Sequence, residues 1–263
     1  MKRASLAVVA LVVFVEGWGL SSGHPGVHTN VRAEAGKGEA ASLTATEPAA
    51  LVSGEKTTFK VRGFKLKEAT ELRFPTADTI GVEIKETKDA GAPKGLDNQL
   101  VGDTQISAEV ILPADLPMGL LEYVVVTPAG EVAGNILVLA ADSVIDEQEP
   151  NDGFREAQEL RPGQYARGSI QSDKDVDVFG YPARTGQQLK VTVTSGGPLL
   201  MDAMLHCYDS RGQFLAAADD DQSRDPVLTL KPLADGMVFL CVSSAHDVGG
   251  EWHSYLLTVE EVK

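Results

Sequence analysis

The sequence predicts an all-β protein built as two β-sandwich domains. Three observations carry this. Short runs alternate apolar and polar residues at period two through residues 42–263, with Gly, Pro, Asn and Asp between them. No run holds the 3.6-residue period of a long amphipathic helix. One acidic, proline-containing stretch, Glu147-Gln148-Glu149-Pro150-Asn151-Asp152, parts the strand-rich chain into halves of ordinary domain size.

Residues 1–23 have the form of a cleaved signal peptide. Met1-Lys2-Arg3 is a positive start, and Ala4 to Val15 is an apolar run. Twelve residues fall short of the roughly 20 that span a bilayer. Cleavage is expected near Gly23 or as late as Ala33. Residues 24–41, rich in Gly, Ala and charge, read as a flexible lead-in. The expected product is secreted, periplasmic or at the cell surface, with no membrane insertion after cleavage. Net charge is −15, with 38 acidic against 23 basic residues. That excludes a nucleic-acid partner, which needs a basic surface. It favours solubility and attracts cations.

In residues 42–141, Thr57 to Gly63 alternates with Phe59 and Val61 on one face. Glu71 to Phe74, Val82 to Lys85, Gln105 to Leu112, Leu120 to Thr127 and Asn135 to Ala140 are further strands. Lys88 to Gly102, with Gly91, Pro93 and Gly95, is expected as a loop. The runs Gly54 to Phe64 and Leu116 to Gly130 resemble immunoglobulin-like modules of the transcription-factor type. The resemblance implies an immunoglobulin-like sandwich.

Residues 142–152 read as an acidic linker. Gly153 to Leu160 is a short helix candidate, with Asn151 or Asp152 as cap and Phe154, Ala157 and Leu160 on one face. Strands resume in 153–263 as Tyr165–Ile170, Val176–Tyr181, Gln187–Thr194, Asp202–Tyr208, Phe214–Ala218, Val227–Leu230, Val238–Val242 and Ser254–Val259. Asp209-Ser210-Arg211-Gly212 is a turn between two of them. Eight strands of even length suggest a jelly-roll-like sandwich.

Glu147 to Asp152, Gly168-Ser169-Ile170, Asp175 to Phe179, Tyr208 to Gly212, Asp219-Asp220-Asp221 and Tyr255 to Val259 follow one another in a recognisable order. They resemble the bacterial pre-peptidase C-terminal domain over about residues 146–263. The resemblance implies kinship with collagen-binding domains of collagenases and a place beside secreted peptidases or in surface proteins. Cys241 departs from the family pattern, where a polar residue is usual.

The residues themselves suggest a calcium site. Calcium takes six to eight oxygen ligands. Glu147, Glu149 and Asn151 alternate and share one side of an extended segment, and Asp173, Asp175 and Asp177 alternate in the same way. The resemblance implies Glu147, Glu149, Asn151, Asp152 and Asp177 as ligands, with Asp173 and Asp175 beside them and a backbone oxygen near Gly168 or Ser169. The alternative is that Asn151-Asp152 caps a helix and the acids are solvated. Asp173 to Arg184 is no EF-hand, because its sixth position is Val178 and its twelfth Arg184. The cluster at Asp219-Asp220-Asp221 reads as a solvated loop.

Catalysis finds no motif. His206, His246 and His253 stand singly, His206 on an outward strand face, and no nucleophile elbow follows the leader. Cys207 and Cys241 are expected to point to opposite sides of their strands, although an exported protein can pair them. The expected function is a non-catalytic binding module for extracellular protein or polysaccharide, with calcium stiffening the interdomain linker. The alternatives are a spacer or export accessory without a ligand, and an accessory to a secreted peptidase.

Overall fold

The computed structural model describes residues 40–94, 96–220 and 224–262; the expected signal peptide, most of the expected lead-in and Asp221 lie outside them. The protein is two β-sandwiches. The first has eight strands: β1 (Ser42–Glu47), β2 (Ala50–Val52), β3 (Lys56–Phe64), β4 (Glu71–Arg73), β5 (Gly81–Asp89), β6 (Thr104–Ile111), β7 (Gly119–Thr127) and β8 (Gly130–Leu139). They form two four-stranded sheets, β1-β3-β6-β5 and β2-β8-β7-β4. Neighbours pair antiparallel except β2 and β8. Period-two alternation sends Phe59, Val61, Ile106, Ala108 and Val110 inward to meet Tyr123 and Val125 from the facing sheet. Phe59 meets Tyr123 edge-on at 5.2 Å. The expected loop after Lys88 is shorter: β5 runs to Asp89, and a one-turn helix, Asn98–Val101, is capped by Asp97, whose Oδ1 accepts from Gln99 N at 2.8 Å.

The second sandwich holds β9 (Val144–Asp146), β10 (Gln158–Glu159), β11 (Tyr165–Ser169), β12 (Val176–Ala183), β13 (Leu189–Ser195), β14 (Ala203–Tyr208), β15 (Phe214–Ala218), β16 (Val227–Leu230), β17 (Gly236–Ser244) and β18 (Ser254–Glu261). Its five-stranded sheets are β10-β12-β17-β14-β15 and β16-β13-β18-β11-β9. Phe179, Leu205, Leu240, Val191, Tyr255 and Leu257 fill the core between them. Cys207 belongs to this core, while Cys241 points outward from the neighbouring strand; both are free thiols.

Two expectations change here. The linker does not start loose at residue 144: Val144–Asp146 pairs in parallel with Tyr165–Arg167 as an edge strand of the second sandwich. The helix over Gly153–Leu160 does not form. Leu160 N bonds Gly180 O and its side chain enters the core, while Phe154 turns outward to stack on Phe239 at 4.6 Å. A helix would have put both on one face.

The sandwiches are docked. Ala49, Ala50, Leu137 and Leu139 bury Leu256, and Ala45 and Val101 bury Leu200 and Trp252. Thr46 N donates to Gly196 O at 2.7 Å across the seam. Arg62, 1% exposed, donates to the carbonyls of Val101, Gly91 and Gly102 and lies over the Trp252 ring. Among the described residues no helix is long and apolar enough to cross a membrane.

Candidate metal centre

The acidic segment after β9 is a strap laid across the end of the second sandwich. Glu147 N continues the β9 pairing by donating to Arg167 O at 2.9 Å. Its carboxylate accepts from Ser169 N at 2.6 Å and from Gln171 Nε2 at 2.9 Å. Gly168 leaves the space: a Cβ there would collide with Glu147 Oε2 and the Tyr255 hydroxyl. Further along, Asn151 O accepts from Val178 N at 3.0 Å, which ties the strap to β12.

β12 enters from below. Its alternation turns Asp177 inward with Phe179, where it is fully buried. Tyr255 Oη donates to Asp177 Oδ2 at 2.6 Å. Asp175, 8% exposed, accepts from Gln171 N at 2.6 Å.

The strap and β12 together bring five carboxylates into one place. Oxygens of Glu147, Glu149 and Asp177 lie within 4.8 Å of one another, as do those of Glu149, Asp152 and Asp175. Glu149 belongs to both groups. Burial, with the charges of Glu147, Asp175 and Glu149, pushes the Asp177 pKa up to about 8, against the Tyr255 hydrogen bond. Glu147 is raised as well, by burial first and then by Glu149 and Asp175. No lysine or arginine is among the principal influences on either carboxyl. This is a concentration of negative charge that the protein itself does not neutralise.

Asn151 tests whether a cation fits. It is fully buried, and its side-chain amide lies 3.1 Å from Asp177 Oδ1 and 3.2 Å from Glu149 Oε2. Without a cation the amide gains by turning over, so that its nitrogen donates to both. With a cation, an inward-turned amide oxygen stands about 3 Å from each of these two carboxylate oxygens, a spacing that suits neighbours in a shell of about 2.4 Å radius, the oxygen distance calcium prefers. The donor set is all oxygen, which suits a hard cation.

Asp173 lies apart from both groups and pairs with Lys94 of the first sandwich. The peptide at Ser169 turns its N–H toward Glu147, not its carbonyl. Asp202, Asp219 and Asp220 form a smaller acidic group, with His246 3.8 Å from Asp202. Asp202 Oδ1 is buried without a partner, but the side chain is 19% exposed. His206 faces a cluster of aromatic rings, His246 stands beside Asp202, and His253 is buried by the seam. The three histidines share no site.

Sequence reasoning left two participants out of the site. Tyr255 reads as an ordinary core residue of a strand, and its bond to Asp177 joins residues 78 apart. Gln171 is a polar turn residue until its backbone and side chain are seen to hold Asp175 and Glu147.

No family model matches the chain. It is 34% identical over 108 residues to a probable subtilase-type serine protease of Deinococcus radiodurans, covering 39% of this chain and 15% of that protein. The chain thus spans under a sixth of that relative's length. Among solved structures, the pre-peptidase C-terminal domain of collagenase from Bacillus anthracis matches at 13% identity and a TM-score of 0.34. The match covers 40% of this chain and 94% of that domain. SGBP-B of the Bacteroides ovatus mixed-linkage glucan utilization locus, in complex with a mixed-linkage heptasaccharide, matches at 11% identity and a TM-score of 0.25. It covers 81% of this chain and 71% of that one. The second sandwich resembles a bacterial pre-peptidase C-terminal domain, and an immunoglobulin-like sandwich precedes it.

Proposed function

We propose that this chain is an exported, non-catalytic binding module. Its second sandwich contacts extracellular protein or polysaccharide, and calcium pins the strap between β9 and β10 to the end of that sandwich. The observation that carries the cation is the convergence of Glu147, Glu149 and Asp177, and of Glu149, Asp152 and Asp175, with oxygens within 4.8 Å of one another around the buried Asn151 amide. Glu147, Glu149, Asn151, Asp152, Asp175 and Asp177 would hold the ion, which supplies the positive charge that the cluster lacks. Asp173, engaged by Lys94, stands outside this set.

Calcium that binds only the folded chain stabilises it by mass action, by about 2.7 kcal/mol at a hundredfold excess over Kd. A thermal melt of metal-stripped protein, with calcium or magnesium restored, tests this. Calcium alone should raise the midpoint by several degrees, and Glu149→Gln with Asp152→Asn should abolish the rise. An unchanged midpoint would return the acids to solvation and leave the spacer reading in front. The protease relative favours one further reading, in which the module serves a secreted peptidase. Co-purification with a secreted peptidase would support it.

A further inference from the structure

The outer face of the β10-β12-β17-β14-β15 sheet is unlike an ordinary solvated sheet face. A sheet with one wet side normally alternates apolar inward with charged or polar outward. Here the outward positions of β12, β17, β14 and β15 carry no Asp, Glu, Lys or Arg, in a chain with 61 such residues. Rings cover the face instead. Phe154 stacks on Phe239 at 4.6 Å and meets Tyr208 at 5.2 Å; Tyr208 meets Phe214 at 5.8 Å; His206 lies 6.5 Å from Tyr208. Phe214 is 59% and Phe154 40% exposed. A cavity of about 450 Å³ opens beside these rings, with His206, Tyr208 and Ser243 on its wall and Asp152 of the strap at its edge. Among the described residues, the side chains of those three make no hydrogen bond.

We propose that this face binds a neutral polysaccharide whose pyranose rings present flat C–H surfaces to Phe154, Tyr208 and Phe214. The inference rests on the binding-module reading and names its ligand class. Two features select the ligand. A polyanion finds no Lys or Arg at the outward positions of these strands and meets a chain of net charge −15, and the Asp152 carboxylate at the cavity edge belongs to the cation site proposed above. An apolar protein surface would leave the Tyr208 and Ser243 hydroxyls and the His206 ring buried without partners, which is costly. A sugar offers C–H faces for the rings and hydroxyls for the polar groups at every residue, so both needs are met in any register.

Affinity electrophoresis of the full chain tests this, in gels containing β-glucan, mannan or starch, with alginate and gelatin gels for comparison. A neutral polysaccharide should retard the protein. Phe214→Ala and Tyr208→Ala should each weaken retardation at least tenfold at an unchanged melting midpoint. Leu120→Ser, at an exposed position of the first sandwich, should leave it intact. Phe214 is exposed enough that its variant decides the matter if Tyr208→Ala fails to fold. The assignment is overturned if no neutral polysaccharide retards the chain. It is overturned equally if alginate or gelatin is held through the same residues, or if sedimentation shows a dimer that Phe214→Ala dissociates. Should calcium still raise the midpoint while no polysaccharide binds, the ligand is wrong and the cation site stands. If both tests fail, the binding-module reading falls with the ligand.

Discussion

The Tyr255 hydroxyl donates to Asp177 Oδ2 at 2.6 Å, and both side chains are sealed from solvent. One is the last side chain expected at an acid cluster, an aromatic from the middle of a core strand. It supplies a buried carboxylate with the donor that burial requires. Removing the hydroxyl should therefore cost more than an average hydrogen bond. Tyr255→Phe is expected to destabilise the metal-stripped protein by about 1–3 kcal/mol, the range for a buried group left unpaired. Urea unfolding in chelator measures it. A loss below about 0.5 kcal/mol would mean that Asp177 finds another donor.

Asp177 also sets a pH dependence in chelator. Its folded pKa is raised to about 8, while an unfolded aspartate titrates near 4. The folded chain therefore holds a proton that the unfolded chain releases. The stabilisation is fully present below about pH 4 and is lost as pH rises toward 8, by at most about 1.4 kcal/mol per pH unit for this group. Glu147 shifts in the same direction. Metal-stripped protein should melt higher at pH 5.5 than at pH 7.5. Saturating calcium should flatten or reverse that order, because the cation replaces the proton. Asp177→Asn should flatten it without calcium. A wild-type midpoint that climbs steadily with pH in chelator would contradict this account.

Much of this arrangement is legible in the sequence, for a reason that also marks its limit. Alternation is local, so Phe59 and Val61 announce a core face, and Glu147, Glu149 and Asn151 announce a shared side of the strap. Pairing is not local. Val144–Asp146 is too short to stand out, and only its parallel partner Tyr165–Arg167 makes it a strand. The Phe154, Ala157, Leu160 spacing fits a helix, but the same chain satisfies Leu160 in the core and Phe154 on Phe239 separately. The uncharged outer face was present in the outward residues of β14 and β17. It becomes visible only once the register of four strands is known.

Arg62 joins the sandwiches without any carboxylate of its own in bonding range among the described residues. Its guanidinium serves carbonyls of the 91–102 segment and covers Trp252 of the second sandwich at 5.7 Å. Arg62→Met should leave the carbonyls of Gly91 and Gly102 without this donor, while Val101 keeps Thr44 Oγ1 at 2.7 Å, and cost about 2 kcal/mol or more. Lysine has the charge but lacks the fork, so Arg62→Lys should recover only part of the loss. The seam should suffer first. Limited proteolysis is expected to cut Arg62→Met near residues 91–102 and wild type much more slowly. Equal cutting rates would show that the apolar clusters alone hold this loop.

Gly168 offers the sharpest separation of site from scaffold. It sits in β11 between the Glu147 carboxylate and the Tyr255 hydroxyl, and a Cβ added there would lie 2.6 Å from Glu147 Oε2 and closer still to Tyr255. Neither neighbour can retreat cheaply. Glu147 is held by Ser169 and Gln171, and Tyr255 by Asp177. Gly168→Ala should displace both, at about 1–3 kcal/mol for overpacking, and weaken calcium binding at least tenfold by calorimetry. Gly91→Ala is the control, since an added Cβ there meets nothing within 4 Å. It should leave calcium affinity and melting midpoint at wild-type values. Wild-type calcium affinity in Gly168→Ala would remove Glu147 from the ligand set and confine the cation to Glu149, Asp152 and Asp175.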